Sequence, residues 1–318
     1  MDSFILSTRS KANGAFGTDV GPGTYLKVPP DAAEPSPIHS INSAKQWMTA
    51  ILEQAAPAKG TALDVVFFVH GYNTPSKEAL TRQRLIEREL RARNYPCMVV
   101  GFDWPSESKT LLYLADRGKA QDSAALLVKR GIVPFMTFSL PECPINVHVM
   151  AHSMGAFVVR EAFRSVDKMR DSGLANDWRI GQMVLFGADI SSSCFALGNS
   201  DMIPTFSHCG RLTNYFSGYD EALAVSNAKN IDTRSRVGRV GMPEDTPADD
   251  KALDVDCGPR YLAVKNRKFK VIDGLVSHSW YLEDANWYDD LAYTLQGGID
   301  RNSIPSRTLR MKNDFVLN

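Results

Sequence analysis

Ile145-Asn146-Val147-His148-Val149-Met150-Ala151-His152-Ser153-Met154-Gly155 decides the fold: a short apolar run passes through a tight turn into a helical pattern over Ala156 to Met169. Ala151 and Gly155 stand two positions either side of Ser153. Small residues are needed there because the strand and the following helix approach closely when the chain reverses so sharply.

The same alternation extends outward in both directions. Upstream, Leu63 to Val69 and Met98 to Phe102 read as buried strands, with a charged amphipathic helix over Ser76 to Arg93 between them. Leu114 to Met136 reads as a helical region broken near Gly131 and Pro134. Downstream, Met183 to Phe186 and Leu212 to Phe216 are further strands, Tyr261 to Val264 and Phe269 to Ile272 suggest a final strand or hairpin, and a terminal helix lies around Asn286 to Leu295. Strands alternating with helices predict an α/β protein with a mainly parallel sheet and helices on both faces. Two stretches rich in Gly, Pro and polar residues, Lys11 to Pro37 and Thr233 to Arg260, read as surface loops. The division expected is a polar N-terminal lead with an edge strand over residues 1–40 and one α/β domain over 41–318.

Composition limits the function. The chain has 318 residues, 44% of them hydrophobic, with Lys plus Arg and Asp plus Glu equal at 36 each. No global field draws such a chain to nucleic acid or an anionic membrane, so the expected partner is a small and mostly neutral molecule. Met1 to Thr24 lacks the pattern of a signal peptide and no stretch is long enough to span a bilayer, which points to a cytoplasmic protein. Cys97, Cys143, Cys194, Cys209 and Cys257 form no Cys-x-x-Cys pair, so reduced thiols are expected, with no metal site and no cofactor. No sequence feature speaks to the oligomeric state.

Ala151-His152-Ser153-Met154-Gly155 resembles the nucleophile elbow of α/β-hydrolases, with Ala in place of the first Gly. Ser153 is then the nucleophile, and a serine hydroxyl attacks at neutral pH only if a base takes its proton. His278 follows the last expected strand, and Asp220 ends the strand before it. The order serine, acid, histidine is that of the fold. Asp189, after the preceding strand, is the competing acid; Asp220 is preferred, and Asp189 is read as a support that binds loop amides. Upstream, Val69-His70-Gly71-Tyr72 occupies the position that supplies half of the oxyanion hole. Gly71 lets the amide of Tyr72 face the developing charge, and the amide of Met154 is the second donor. His70 is read as packing beneath that turn.

More specific elements extend the likeness. Phe68-Val69-His70-Gly71-Tyr72-Asn73, Trp104-Pro105-Ser106, the spaced residues Tyr113, Asp116, Ala120 and Ser123, then Gly187-Ala188-Asp189-Ile190, Asp220-Glu221-Ala222-Leu223 and His278-Ser279 are similar to the bacterial family known only as α/β hydrolases of unknown function. That resemblance implies the α/β-hydrolase fold and an esterase-like or lipase-like hydrolase. The short segment between Gly187 and Leu212 leaves no room for a large cap domain. Trp104, Phe216 and Trp280 are candidate walls of an apolar acyl pocket, with core packing as the competing reading for each. The loop 233–260, between acid and histidine, has the length of a movable cover. The function expected is cleavage of short to medium carboxylic esters through an acyl-enzyme. A binding protein that keeps the fold without catalysis, or the same triad acting as a thioesterase, amidase or lipase, stays open at this stage.

Overall fold

The computed structural model describes residues 1–55, 63–106, 113–137, 145–168, 178–229, 235–247, 251–270 and 275–318. Its strands in chain order are β1 (Ser3–Ala12), β2 (Ala15–Val28), β3 (Ser40–Ile41), β4 (Leu63–Val69), β5 (Cys97–Asp103), β6 (Ile145–His152), β7 (Ile180–Phe186), β8 (Cys209–Phe216), β9 (Ala252–Asp256), β10 (Arg307–Met311) and β11 (Asp314–Leu317). They form an 11-stranded sheet in the order β10-β11-β9-β8-β7-β6-β4-β5-β1-β2-β3. Neighbours from β11 across to β1 are parallel, and antiparallel hairpins close both margins.

The two faces of the sheet carry separate cores, as strand alternation requires. Val65, Phe67 and Val69 of β4 join one core, with residues of the helices Ala44–Ala55, Tyr113–Leu126 and Met154–Lys168. Val66 and Phe68 join the other, with residues of Ser76–Arg91 and Ala285–Gln296. Helices therefore cover both faces. The helix after β5 runs on through a π turn over Leu127–Ile132 into Val133–Thr137, so Gly131 and Pro134 widen the helix rather than end it.

Three expectations need correction. Gly258–Val264 is a helix, not a strand, because Pro259 sits in its first turn, where a missing N–H costs nothing; of the stretch Phe269 to Ile272, residues 271–272 lie outside the described residues. Among the described residues the last strand before His278 is instead β9, inside the stretch read as a polar loop, of which 233–234 and 248–250 lie outside the described residues. Its polar Asp254 is buried because Asn214 Nδ2 and the Met242 amide donate to it at 2.7 and 2.6 Å. Third, Lys11 to Pro37 is largely β-hairpin: Asn13 (φ 52) and Gly14 (φ 77) form a two-residue turn of the kind that matches strand twist, and β2 follows.

Between β7 and β8 the chain forms only a 3₁₀ turn, Ser192–Phe195, and a short helix, Ile203–His208. No helix among the described residues is long and apolar enough to cross a membrane.

Candidate active site

Parallel strands deliver their C-terminal ends to one edge, where Ser153 follows β6 and Asp220 follows β8. β6 ends at His152, and Ser153 takes a left-handed backbone (φ 56) before the helix Met154–Lys168 begins. That conformation is costly for a residue with a side chain. Hydrogen bonds enforce it: the Ser153 amide donates to Phe186 O at 3.2 Å, and its carbonyl accepts from the Asp189 and Ala156 amides at 3.0 and 3.1 Å. A Cβ at Gly155 would lie 2.4 Å from Val69 O, so only glycine lets the helix descend onto β4. Ala151 is tolerated, fully buried between Val69 and Leu185.

Gly71 lies over the serine, since a Cβ there would be 2.8 Å from Ser153 Cβ. The loop that carries Tyr72 is held by the Asn73 amide on Ser106 O at 2.9 Å. Met154 opens its helix, so its amide is one of the four with no intrahelical acceptor. Beneath this loop His70 is buried and stacked on Trp104, with ring centroids 5.7 Å apart, and its Nδ1 donates to Gly71 O at 2.9 Å.

Asp220 is fully buried at the N-terminus of the helix Glu221–Lys229, where Oδ1 accepts from the Leu223 amide at 3.0 Å. Its Oδ2 is 2.7 Å from His278 Nδ1. A carboxylate at that nitrogen places the proton on Nδ1 and leaves Nε2 to accept. His278 rides on the short helix Val276–Ser279, whose Ser277 Oγ accepts from the Glu221 amide at 3.3 Å. The imidazole lies against Gly187 (φ 53), where an added Cβ would come within 3.3 Å of Cε1 and Nδ1. The following Asp189 pairs with buried Arg236, 3.1 Å from Nε. That pair fixes the segment after residue 234, along with the Val237 and Gly238 amides on Ile190 O and Ala188 O at 2.8 and 3.1 Å. Residues 235–241 are therefore anchored to the sheet edge and do not form a free cover.

The aromatic walls are misplaced in the sequence reading. Trp104 and Trp280 have no exposed surface. The first is tied to His70 O through Nε1 at 2.9 Å, and the second packs on Tyr261 and Tyr281 in the opposite core. Phe216 is also buried, beneath Gly241. Their bulk is used for packing, as large apolar residues on strand ends commonly are.

Two supports escaped sequence reasoning. The His152 ring stacks on Phe186 and meets the His278 ring at a tilt, with centroids at 4.8 and 4.6 Å, and its Nε2 donates to the His278 carbonyl at 3.0 Å. Burial, reinforced by the neighbouring His278, holds its imidazole well below the usual histidine range, so it stays neutral. The second support comes from the N-terminal hairpin. Arg9 on β1 forms a buried pair with Asp103 at 2.9 Å and also donates to Thr74 O at 3.2 Å, bracing the loop beyond Tyr72. Burial alone would raise the Asp103 carboxyl, but Arg9 and His70 bring it down to about 2. The place of His152 directly before the serine and the Asn13-Gly14 turn that makes the hairpin were the available signals.

Among the described residues no group of His, Cys, Asp and Glu is arranged to hold a metal, and Cys97, Cys194, Cys209 and Cys257 are buried free thiols. Cys143 and the side chains of Tyr113 and Asp116 lie outside the described residues.

A strand-elbow-helix serine, a histidine paired with a buried carboxylate, and a glycine turn over the serine, all at the C-terminal edge of a mostly parallel sheet, define the α/β-hydrolase class. Residues 42–293 match the family described as "Alpha/beta hydrolase of unknown function (DUF900)", and the chain belongs to it. It is also 24% identical over 209 residues to the uncharacterized protein alr1448 of Nostoc sp., covering 51% of this chain and 53% of that one. The chain thus spans about half the length of the curated relative it matches. Among solved structures it is similar to a fungal esterase from Rhizomucor miehei (TM-score 0.41, 10% identity, 93% of this chain and 83% of that chain). A second likeness is to lipase B of Aspergillus fumigatus (TM-score 0.32, 16% identity, 67% of this chain and 49% of that chain).

Proposed function

We propose that the protein is a serine hydrolase that cleaves carboxylic esters of short to medium acyl chains. The observation that carries this reading is the 2.7 Å contact of His278 Nδ1 with buried Asp220, beside an elbow that holds Ser153 in a left-handed conformation. Ser153 Oγ attacks the ester carbonyl while His278 Nε2 takes its proton, and Asp220 stabilises the imidazolium. The carbonyl oxygen becomes an oxyanion, met by the amides of Tyr72 and Met154. Collapse of this intermediate breaks the ester bond, and His278 returns the proton to the departing alcohol. Water then attacks the acyl-enzyme by the same route and releases the acid and free Ser153.

The short connection between β7 and β8 supports small, accessible esters as substrates. The test is a series of nitrophenyl esters of increasing acyl length, assayed on wild type and Ser153→Ala. Turnover that falls by roughly 10³-fold or more in the variant is expected. Equal turnover in both would end the proposal.

A further inference from the structure

We propose that Arg117 is a specificity-determining residue that selects esters carrying a carboxylate at the far end of the acyl chain; the inference builds on the reading of Ser153 as nucleophile.

The topology places Arg117 at the catalytic edge. β5 and β6 both lie parallel to β4, so the helical segment between them must start near the C-terminal ends of the strands and return to the opposite edge. Arg117 is the fifth residue of its helix, Tyr113–Leu126. This helix packs on Met154–Lys168, which starts at the elbow itself.

One contact between the two helices is a guanidinium on a ring: Arg117 Cζ lies 4.0 Å from the centroid of Phe157, a ring that Arg160 Cζ also approaches, to 4.8 Å. Phe157 is buried and stands four residues after Ser153, about 6 Å along a helix axis. Helical side chains tilt back toward the N-terminus, so the ring and the guanidinium against it lie over the turn that follows Ser153.

Among the described residues Arg117 lacks the carboxylate partner that every buried arginine has. Buried Arg9, Arg82, Arg160, Arg236 and Arg307 each pair with a carboxylate, from Asp103, Glu78, Glu161, Asp189 and Asp290 respectively. Arg117 is half-buried and, among the described residues, makes no ion pair or hydrogen bond; its one contact of note is the Phe157 ring. A partly desolvated guanidinium without a counter-ion is unfavourable unless a ligand supplies one. The ring holds the cation by its face and leaves the N–H fork in the plane free for a planar, bidentate acceptor. A carboxylate has that shape. The balanced charge of the whole chain, which suggested a neutral substrate, says nothing about such a local cation.

Binding in the Ser153→Ala background tests this without turnover. Calorimetry would compare monoethyl adipate with ethyl hexanoate, its neutral counterpart of equal acyl length. The half-ester is expected to bind about tenfold more tightly or better, as a charge-assisted fork pair allows. Adding Arg117→Met should bring the ratio of the two affinities to about one, while Arg117→Lys, a point charge without the fork, should keep part of the preference. Thermal melting of each variant confirms that the fold is intact. Equal binding of the two esters, binding of neither, or a preference that survives Arg117→Met would overturn the proposal. A wild-type protein that hydrolyses neither ester would instead defeat the role given to Ser153, a result read separately from the affinity ratio.

Discussion

His152 Nε2 donates to the carbonyl oxygen of His278 at 3.0 Å, so the residue before the serine holds the backbone of the histidine that is to act on it. A carbonyl only accepts, and His152 is kept neutral by burial, which places its one proton on Nε2. His152→Phe keeps the stacking volume and removes the donor. The expected result is a fall in kcat of about tenfold, the size of one buried neutral hydrogen bond, with KM little changed. His152→Asn, which restores a donor, should recover part of it. A fall in melting temperature alone, with kcat per folded molecule intact, would make His152 a packing residue.

Asp220 and Asp189 are separated by what each touches. Asp220→Asn loses the orienting carboxylate and should cost on the order of 10⁴ in turnover. Asp189→Asn instead leaves Arg236 buried without its charge partner, a defect worth about 3–5 kcal/mol of stability. Its expected signature is a lower melting temperature with turnover per folded molecule largely retained. Assays of both variants beside their melting curves check this, and a reversed pattern would assign the acid to Asp189.

Much of this architecture was legible in the residues. Val149, Ala151, Ser153 and Gly155 are small or apolar where the elbow needs them, and the apolar runs within β4, β5 and β7 are near-continuous because parallel strands are buried on both faces. β9 was hidden for a physical reason: buried Asp254 looks like a loop residue until the Met242 amide and Asn214 are seen to satisfy it. The tie between Arg9 and Asp103 joins residues 94 apart in sequence, and no local pattern encodes such a pairing. Trp104 and Trp280 were misplaced because position on a strand end or in a loop does not tell whether an aromatic ring faces a cleft or the core.

Asp254 has a consequence for pH. Burial raises its carboxyl to about 7, against the opposing hydrogen bonds from Asn214 and the Met242 amide. Between the ordinary value near 4 and pH 7 the folded protein keeps a proton that the unfolded chain releases, so this residue makes folding less favourable as pH rises through that window. Asp254→Asn carries no such proton. The melting-temperature difference, variant minus wild type, should therefore increase from pH 4 to pH 7 and level off above. A difference independent of pH would show that Asp254 titrates normally.

The central claim is that Ser153 is an activated nucleophile, and covalent capture tests it most directly. Intact mass spectrometry after exposure to a fluorophosphonate should show one adduct per chain, mapped by peptide analysis to Ser153. The adduct should be absent from Ser153→Ala and formed far more slowly in His278→Ala, because the serine then has no base. An unmodified wild-type protein, or an adduct mapping to another residue, would contradict the account.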